Sequence, residues 1–282
     1  MADFCHAFIV YKQFERFIMI KIAIIGAGGR MGLRIANLAI ESEKFDVTEA
    51  IEHDASTLIG KDLGELAGCG TFGVKIGTEL TDFPDVAIDF SLPEGTMKFL
   101  PICRQKQIPL IIGTTGFTES QKAEIADAAT EIPIIYTGNF SMGINLLTTL
   151  VEQAAKILGE DYDIEISETH HRFKQDAPSG TALMLAQAVC DGAGKDINTA
   201  LVHGRSGNQP RQAGEIGMHA LRVGDTVGEH EVYFGNLGET IKISHSAHTR
   251  DTFVRGVLRA ASWIVGKRPG MYDMKDVLGL KQ

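Results

Sequence analysis

An apolar run, a glycine-rich turn and a helical pattern follow one another without interruption near the start of the chain. Residues 20–25 read IKIAII, and the overlapping segment IGAGGRMG runs from Ile25 to Gly32. Its glycines are spaced GxxGxxG, because Met31 stands where the stricter GxGxxG pattern requires glycine. A backbone without side chains can approach a pyrophosphate, and the first N–H groups of the following helix attract its charge. Such turns also occur for packing reasons, so this one indicates a dinucleotide site without establishing it.

Strands and helices alternate through the first half of the chain. We predict strands at 20–25, 47–51, 85–90, 109–112 and 132–136, and helices at 31–42 and 119–130. This alternation implies parallel pairing, so the fold class is α/β with an N-terminal Rossmann-like parallel sheet. The pattern changes near Asn139. The second half has predicted helices at 142–158, 181–191 and 252–265, a strand at 163–167, and strand-like runs between 214 and 246. These runs indicate an α+β segment with a largely antiparallel sheet.

An acidic residue at the end of the second predicted strand strengthens the dinucleotide interpretation. Glu52 lies twenty residues beyond Gly32, where a carboxylate usually accepts hydrogen bonds from the adenosine ribose. The alternative is a solvated loop carboxylate. Glu52 favours NAD because it repels the extra phosphate of NADP, whereas a protonated His53 would tolerate that phosphate. The loops GTTGF (113–117) and TGNFSMG (137–143) follow apolar runs and fit contacts with the nicotinamide half, although each alone is compatible with an ordinary turn.

A cationic segment stands out in a chain that is acidic overall. Residues 168–182 read ETHHRFKQDAPSGTA, and Ser179 is a plausible N-cap for the helix that follows. The N–H groups of Gly180 and Thr181 would then form an anion site. Hydride transfer to a conjugated acceptor requires a positioned acid, for which His170 and Lys174 are candidates. Arg172 is interpreted as structural or exposed, and His170 and His171 should point to opposite faces of a strand.

Composition excludes several classes of protein. The formal net charge is −9 with a pI of about 5.5, which argues against a general nucleic-acid binder. The four cysteines are scattered without a CxxC pair, which favours a reducing, cytoplasmic setting. Neither an HExxH motif nor a membrane-spanning apolar run is present, so we expect no metal and no membrane partner. Residues 1–18 are interpreted as an extension without catalytic importance, the alternative being a docking or targeting arm.

Several motifs together resemble those of the 4-hydroxy-tetrahydrodipicolinate reductase family, also called dihydrodipicolinate reductase. The motifs are GAGGRMG, DFSLPEGT, GTTGF, NFSMGIN, ETHHRFKQDAPSGTA and GMYDMKDVLGL, and the resemblance extends from about Met19 to the C-terminus. It implies a dinucleotide-binding domain at 19–140 that is rejoined by 251–282. It also implies an inserted α+β domain at 141–250 that contains a mixed sheet, binds substrate and forms a homotetramer.

The resemblance also implies roles for particular residues. His170 and Lys174 become the catalytic proton-transfer groups. The residues implied in substrate binding are His171, Gly180, Thr181 and Thr115. Those implied in binding NADH or NADPH are Gly26, Ala27, Gly28, Gly29, Arg30, Met31, Glu52, His53, Gly113, Thr114, Thr115, Thr137, Gly138, Asn139 and Phe140. Some family members carry arginine where this chain has His53, which leaves the preferred nucleotide open.

The function expected is therefore NAD(P)H-dependent reduction of a small cyclic dicarboxylate in the diaminopimelate route to lysine. Water is lost from the substrate, and hydride passes from the nicotinamide to a ring carbon. Two alternatives stay open on the residues alone. One is another two-domain dehydrogenase of amino-acid metabolism, which would have no reason to contain HHxxK before PSGT. The other is a regulator that binds NAD(P) without catalysis.

Overall fold

The computed structural model describes residues 19–281, so the predicted extension at residues 1–18 lies outside the described part of the chain. The chain divides into two compact units by its contacts. The first unit runs to Ile134 and includes Ala261–Met271, and the second comprises Ile135–Ala260 and continues from Tyr272. The functional domain boundaries near residues 140 and 250 stay a prediction.

One sheet carries the predicted Rossmann-like half. Its strands are β1 (Ile20–Ile25), β2 (Phe45–Ile51), β3 (Ile76–Gly77), β4 (Val86–Asp89), β5 (Leu110–Ile112), β6 (Pro133–Tyr136) and β12 (Gly270–Tyr272). Within residues 19–281 these seven strands lie in the order β12-β6-β5-β4-β1-β2-β3. Strand β1 pairs in parallel with β2 and β4, and the pairs β2–β3 and β4–β5 are also parallel. The predicted α/β fold class is confirmed.

Helices lie between β1 and β2, between β2 and β3, between β4 and β5, and between β5 and β6. They are α1 (Arg30–Ile40), α2 (Leu63–Ala67), α3 (Pro93–Lys106) and α4 (Glu119–Ala128). Helix α1 buries one face through Ile35, Ala36 and Ala39. Because helices cover a parallel sheet on both sides, its central strand is apolar at successive positions, and Ile22 to Ile24 of β1 are fully buried.

The second unit contains a mixed sheet. Its strands are β7 (Asp163–His170), β8 (Leu201–His203), β9 (Ile216–Arg222), β10 (Gly228–Asn236) and β11 (Glu239–Ala247), in the order β11-β10-β7-β9-β8. Strand β10 is antiparallel to β7 and β11, whereas β9 is parallel to β7 and β8. The expectation of a largely antiparallel sheet, drawn from the strand-like runs, is therefore wrong, because crossovers after β7 and β8 return the chain in the same direction. The mixed sheet implied by the family resemblance is confirmed.

Helices cover this sheet and form its core. The remaining helices are α5 (Met142–Leu158), α6 (Gly180–Ala193), α7 (Ile197–Ala200), α8 (Asp251–Ile264) and α9 (Met274–Leu278). Leu147 and Val151 of α5 pack in one buried cluster with Leu185 of α6 and with Ile166 and Phe234 of the sheet. Among residues 19–281, no helix is both long enough and apolar enough to cross a membrane.

Candidate active site

The glycine turn after β1 is packed so closely that side chains are excluded. Gly26 has φ +77°, and a Cβ placed on it would lie 2.6 Å from the carbonyl oxygen of Phe90. A Cβ on Gly32 would lie 2.2 Å from the carbonyl oxygen of Gly26. The glycines therefore let α1 begin directly against the ends of β1 and β4, which keeps the helix N-terminus close to the sheet edge.

Helix α1 begins without a side-chain cap at its N-terminus. Gly29 is the N-cap, and no side chain caps the first turn at Arg30 and Met31. A pyrophosphate suits this position, because backbone N–H groups and the positive end of the helix dipole face outward there. Of the predicted contacts in this turn, the N–H of Gly28 is already used, since it donates to Glu52 Oε1 at 2.8 Å.

A cavity of about 460 Å³ lies at this edge of the first unit. Its lining includes Gly26, Gly29, Glu52 and His53, which the sequence predicts as nucleotide contacts. Glu52 follows β2 as predicted, and its two carboxylate oxygens accept from the backbone N–H groups of Gly28 and His53. These hydrogen bonds hold the carboxylate at the cavity wall, where a ribose would meet it. The residues present therefore fit a dinucleotide.

The same cavity has charged residues that the sequence does not single out. Asp54 pairs with Lys98 of α3, with 3.0 Å between Oδ1 and Nζ, and Glu94 adds a further carboxylate to the lining. Asp54 and Lys98 are 44 positions apart, so no local spacing in the sequence connects them. The lining contributes three carboxylates, from Glu52, Asp54 and Glu94, beside the ammonium of Lys98 and the imidazole of His53.

Buried Asp89 links the loops that follow β4 and β5. Its Oδ1 accepts from the N–H and hydroxyl of Ser91, at 2.9 and 2.6 Å, and from the hydroxyl of Thr114 at 3.3 Å. Burial raises the pKa of Asp89, and the Ser91 and Thr114 hydrogen bonds oppose that effect. A Cβ on Gly113 would lie 2.2 Å from the Phe90 ring. The loop carrying exposed Thr115 is thus fixed by its neighbours.

The loop after β6 is anchored within the second unit. Asn139 donates from Nδ2 to the hydroxyl of Thr181 at 2.9 Å, and its Oδ1 accepts from the N–H of Ser141. Thr137 accepts from the N–H of Asn139 at 3.2 Å, and Phe140 is buried. The structure therefore brings together one residue predicted to contact the nucleotide, Asn139, and one predicted to contact the substrate, Thr181.

The last residue of β7 is His170, and it is held by a buried carboxylate. Glu168 Oε2 lies 2.5 Å from His170 Nδ1, and Arg222 donates to both oxygens of Glu168 at 2.9 Å. Oε1 of Glu168 also accepts from the N–H of Ser179 at 3.1 Å. Burial would raise the pKa of Glu168, but the hydrogen bonds from Arg222 and His170 outweigh it and lower that pKa. Burial lowers the pKa of His170, and Glu168 opposes this effect.

Ser179 caps α6, which confirms the predicted N-cap. Its hydroxyl accepts from the N–H of Ala182 at 3.1 Å and lies 3.2 Å from Nε2 of His230. His230 is buried on β10 and meets His170 edge to face, with 5.2 Å between ring centroids. Burial, with the nearby His170 charge, lowers the pKa of His230 to about 4. His230 is therefore neutral at pH 7, and no sequence pattern singles it out.

The remaining cationic residues follow β7 in a turn. The N–H of Lys174 donates to the carbonyl of His171 at 3.1 Å, and Lys174 Nζ lies 2.7 Å from Asp176 Oδ1. His171 is half-buried just beyond the strand, while Arg172 is exposed, as predicted. The second unit thus brings His170 close to the start of α6 through Glu168. Of the predicted substrate contacts, Thr115 belongs to the first unit and His171, Gly180 and Thr181 belong to the second.

Comparison with known proteins identifies close relatives of the chain. Two family models match, described as "Dihydrodipicolinate reductase, N-terminus" over residues 20–140 and "Dihydrodipicolinate reductase, C-terminus" over residues 143–278. A 4-hydroxy-tetrahydrodipicolinate reductase of Acinetobacter baumannii is 46% identical over 264 residues, covering 92% of this chain and 96% of that protein. One of Syntrophotalea carbinolica is 46% identical over 267 residues, covering 93% of this chain and all of that protein.

A solved structure shares the fold. It is described as a dipicolinate-bound dihydrodipicolinate reductase from Paenisporosarcina sp. TG-14. The TM-score is 0.72 at 24% identity, with 91% of this chain and 98% of that chain covered. An amine dehydrogenase of Mycobacterium smegmatis has the same type of fold at 13% identity, with a TM-score of 0.58.

Proposed function

This chain belongs to the dihydrodipicolinate reductase family, and from that membership we propose how its own residues perform the reaction. It catalyses the NAD(P)H-dependent reduction of 4-hydroxy-tetrahydrodipicolinate to tetrahydrodipicolinate with loss of water, in lysine and diaminopimelate biosynthesis. The observation that carries this conclusion is 46% identity to reductases over nearly the whole chain. A non-catalytic NAD(P) sensor and another amino-acid dehydrogenase are not favoured.

The glycine turn and Glu52 hold the nucleotide in this proposal. The start of α1 binds the pyrophosphate through its backbone N–H groups, and Glu52 accepts hydrogen bonds from the adenosine ribose. The loops at 113–115 and 137–140 orient the nicotinamide half. When bound, the reduced nicotinamide supplies the hydride. The close packing at Gly26 and Gly32 and the fixed Glu52 carboxylate support this assignment.

His170 and Lys174 carry out the proton transfer to the substrate. Negative charge develops on the substrate as it accepts hydride, and a nearby acid lowers the barrier by protonating it. His170 is suited to this task because Glu168 orients its imidazole, and burial lowers the pKa of that imidazole from its ordinary value. Lys174 lies in the turn that follows, where its ammonium takes part in the same proton transfer and also counters a substrate carboxylate.

The substrate carboxylates meet the start of α6. Ser179 places the N–H groups of Gly180 and Thr181 at a capped helix N-terminus, where an anion is stabilised. His171 and Thr115 complete the proposed substrate contacts. Two carboxylates on one small ring explain why a chain of net charge −9 gathers cations in this segment.

A steady-state assay tests these roles. NADH and NADPH oxidation is followed with substrate generated by the upstream synthase. We expect His170→Ala and Lys174→Ala each to reduce turnover by about 10²-fold or more, the scale of acid–base catalysis. His219→Ala is the matched control, because His219 also pairs with a carboxylate, at 2.6 Å from Glu165. If both variants stay within a few-fold of the parent enzyme, the proton roles are wrong.

Assembly and location are also proposals. We expect a homotetramer in the cytoplasm, since the family resemblance implies this assembly and the scattered cysteines favour a reducing compartment. Light scattering at micromolar concentration measures the mass directly. A monomer of 30.6 kDa under these conditions would contradict the tetramer.

A further inference from the structure

Glu168 has a place in the site that the family's proton-transfer residues alone do not explain. We infer that Glu168 is a positioning residue, which fixes the proton on Nδ1 of His170 and ties that imidazole to the anion-binding start of α6. The inference rests on the proposed role of His170 and deepens it.

The charge of Glu168 is established by its surroundings. Its side chain has no exposed surface, and Arg222 donates to both oxygens at 2.9 Å. A buried carboxylate is tolerated in the ionised form only when it is paired and hydrogen-bonded. Four donors, from Arg222, His170 and Ser179, meet this requirement. Glu168 therefore remains an anion beside His170.

An ionised carboxylate only accepts hydrogen bonds, which determines the tautomer of His170. The 2.5 Å contact between Oε2 and Nδ1 requires a hydrogen on Nδ1. Nε2 is then the nitrogen that exchanges a proton with substrate. A Cβ on Gly228 would lie 3.0 Å from Nε2, so a larger residue at that position would crowd this nitrogen.

The Glu168 carboxylate also contacts the start of α6, where the substrate is proposed to bind. Its Oε1 accepts from the N–H of Ser179, directly before Gly180 and Thr181. One rigid group thus sets the separation between the proton-transfer nitrogen and the N–H groups proposed to bind a carboxylate. Preorganisation of this kind matters because misplacement by about 1 Å can lower turnover by about 10²-fold.

The pH dependence has a definite sign. The groups that face His170 are Glu168 on its own strand, Arg222 on β9, Lys174 in the following turn and His230 on β10. Of these, Glu168 alone raises the pKa of His170, whereas burial, Lys174 and Arg222 lower it. Loss of the carboxylate charge therefore lowers that pKa. Because protonated His170 is the acid, turnover falls as pH rises through its pKa, and this falling limb moves to lower pH.

Glu168→Gln tests the inference. A glutamine amide donates to Nδ1 and favours the opposite tautomer, so we expect kcat to fall about 10- to 100-fold, within the range for acid–base groups. The falling limb of the kcat profile should move by about 1 pH unit to lower pH. Glu165→Gln is the matched control on β7, since it pairs with His219 and Arg205 and does not touch His170. It should leave the limb in place.

Glu168→Asp provides a second test if the glutamine variant does not fold. It keeps the charge but withdraws the carboxylate by one methylene, so kcat should fall while the limb stays within a few tenths of a pH unit. A limb that does not move in Glu168→Gln, or full turnover in Glu168→Asp, would overturn the inference. Failure of the proposed function is distinguishable, because His170→Ala would then retain turnover whatever happens at Glu168.

Discussion

The pairing of Asp54 with Lys98 predicts which nucleotide the enzyme prefers. The extra phosphate of NADPH carries about two negative charges, and the cavity lining contributes three carboxylates. The Lys98 ammonium also lines this cavity, but it lies 3.0 Å from Asp54 Oδ1, which partly neutralises its charge. We therefore expect tighter binding of NADH than of NADPH in the parent enzyme, and Asp54→Asn should reduce the difference by releasing Lys98.

The size of the effect follows from the geometry. Two unit charges 3.0 Å apart attract by about 1.4 kcal/mol in water-like surroundings. The side chains of Lys98 and Asp54 are 46% and 77% exposed, so screening and side-chain freedom reduce the net value to about 0.5–1 kcal/mol. The Kd for NADPH should therefore fall about 2- to 5-fold in Asp54→Asn. The Kd for NADH should change less than about twofold.

Direct titration of both nucleotides by calorimetry or by nucleotide fluorescence measures these constants without turnover. Glu94→Gln is the matched control, because it removes an exposed carboxylate of the same cavity that is not the ion-pair partner of Lys98. Asp54→Asn combined with Lys98→Met should lose the gain for NADPH. An equal change for both nucleotides, or a gain that persists without Lys98, would refute the reasoning.

Three further predictions concern stability and packing. His230 has a pKa of about 4 in the folded protein, below its ordinary value near 6.5. Between these two pH values the unfolded chain binds more protons than the folded one. The free energy of unfolding therefore falls as the pH decreases, by up to about 3 kcal/mol. Urea unfolding at pH 7 and pH 5 should show about 2 kcal/mol of this loss in the parent and a smaller loss in His230→Asn; equal losses would contradict the prediction. Ser179→Ala removes the cap of α6 and the partner of His230, and should cost about 2 kcal/mol by urea unfolding, with Ser141→Ala, which removes the cap of α5, as a comparison. Gly32→Ala places a Cβ 2.2 Å from a carbonyl oxygen, so we expect a loss of about 1–3 kcal/mol and weaker binding of both nucleotides; unchanged binding would show that the turn tolerates a side chain.

The sequence predicts the parallel half of the fold well, because its signals are local. Apolar runs ending in glycine mark β1, and Thr118 with Gln121 forms the capping box at the start of α4. Helix α3 was not predicted. Proline at its first position, Pro93, favours a helix start, but Pro101 inside the helix reads as a breaker. Packing of buried Phe99, Leu100 and Cys103 outweighs that local penalty.

The residues of the candidate site also differ in whether a local sequence signal predicts them. Ser179 was predicted as a cap because a cap acts within three residues, and Glu52 because its distance from the glycine turn is set by one strand–helix–strand unit. Arg222 lies 54 residues beyond Glu168 along the chain, and no periodicity relates the two. His230 lies on β10, which pairs with β7, and it is in register with Glu168. These partners are set by sheet register, which a single sequence does not display.

Strand alternation explains why Glu168 and His170 face the interior together. In β7, Ile164, Ile166, Glu168 and His170 are all buried, so the polar pair continues an apolar row at alternate positions. Strand β9 is parallel to β7 and ends opposite it, with Arg222 in register with His170. Because the carboxyl ends of parallel strands meet at one sheet edge, the Arg222 guanidinium lies beside the buried Glu168 carboxylate and donates to both of its oxygens. A slip of one residue would turn Glu168 and His170 to the other face. The apolar row of β7 therefore sets the register on which the proton-transfer site depends.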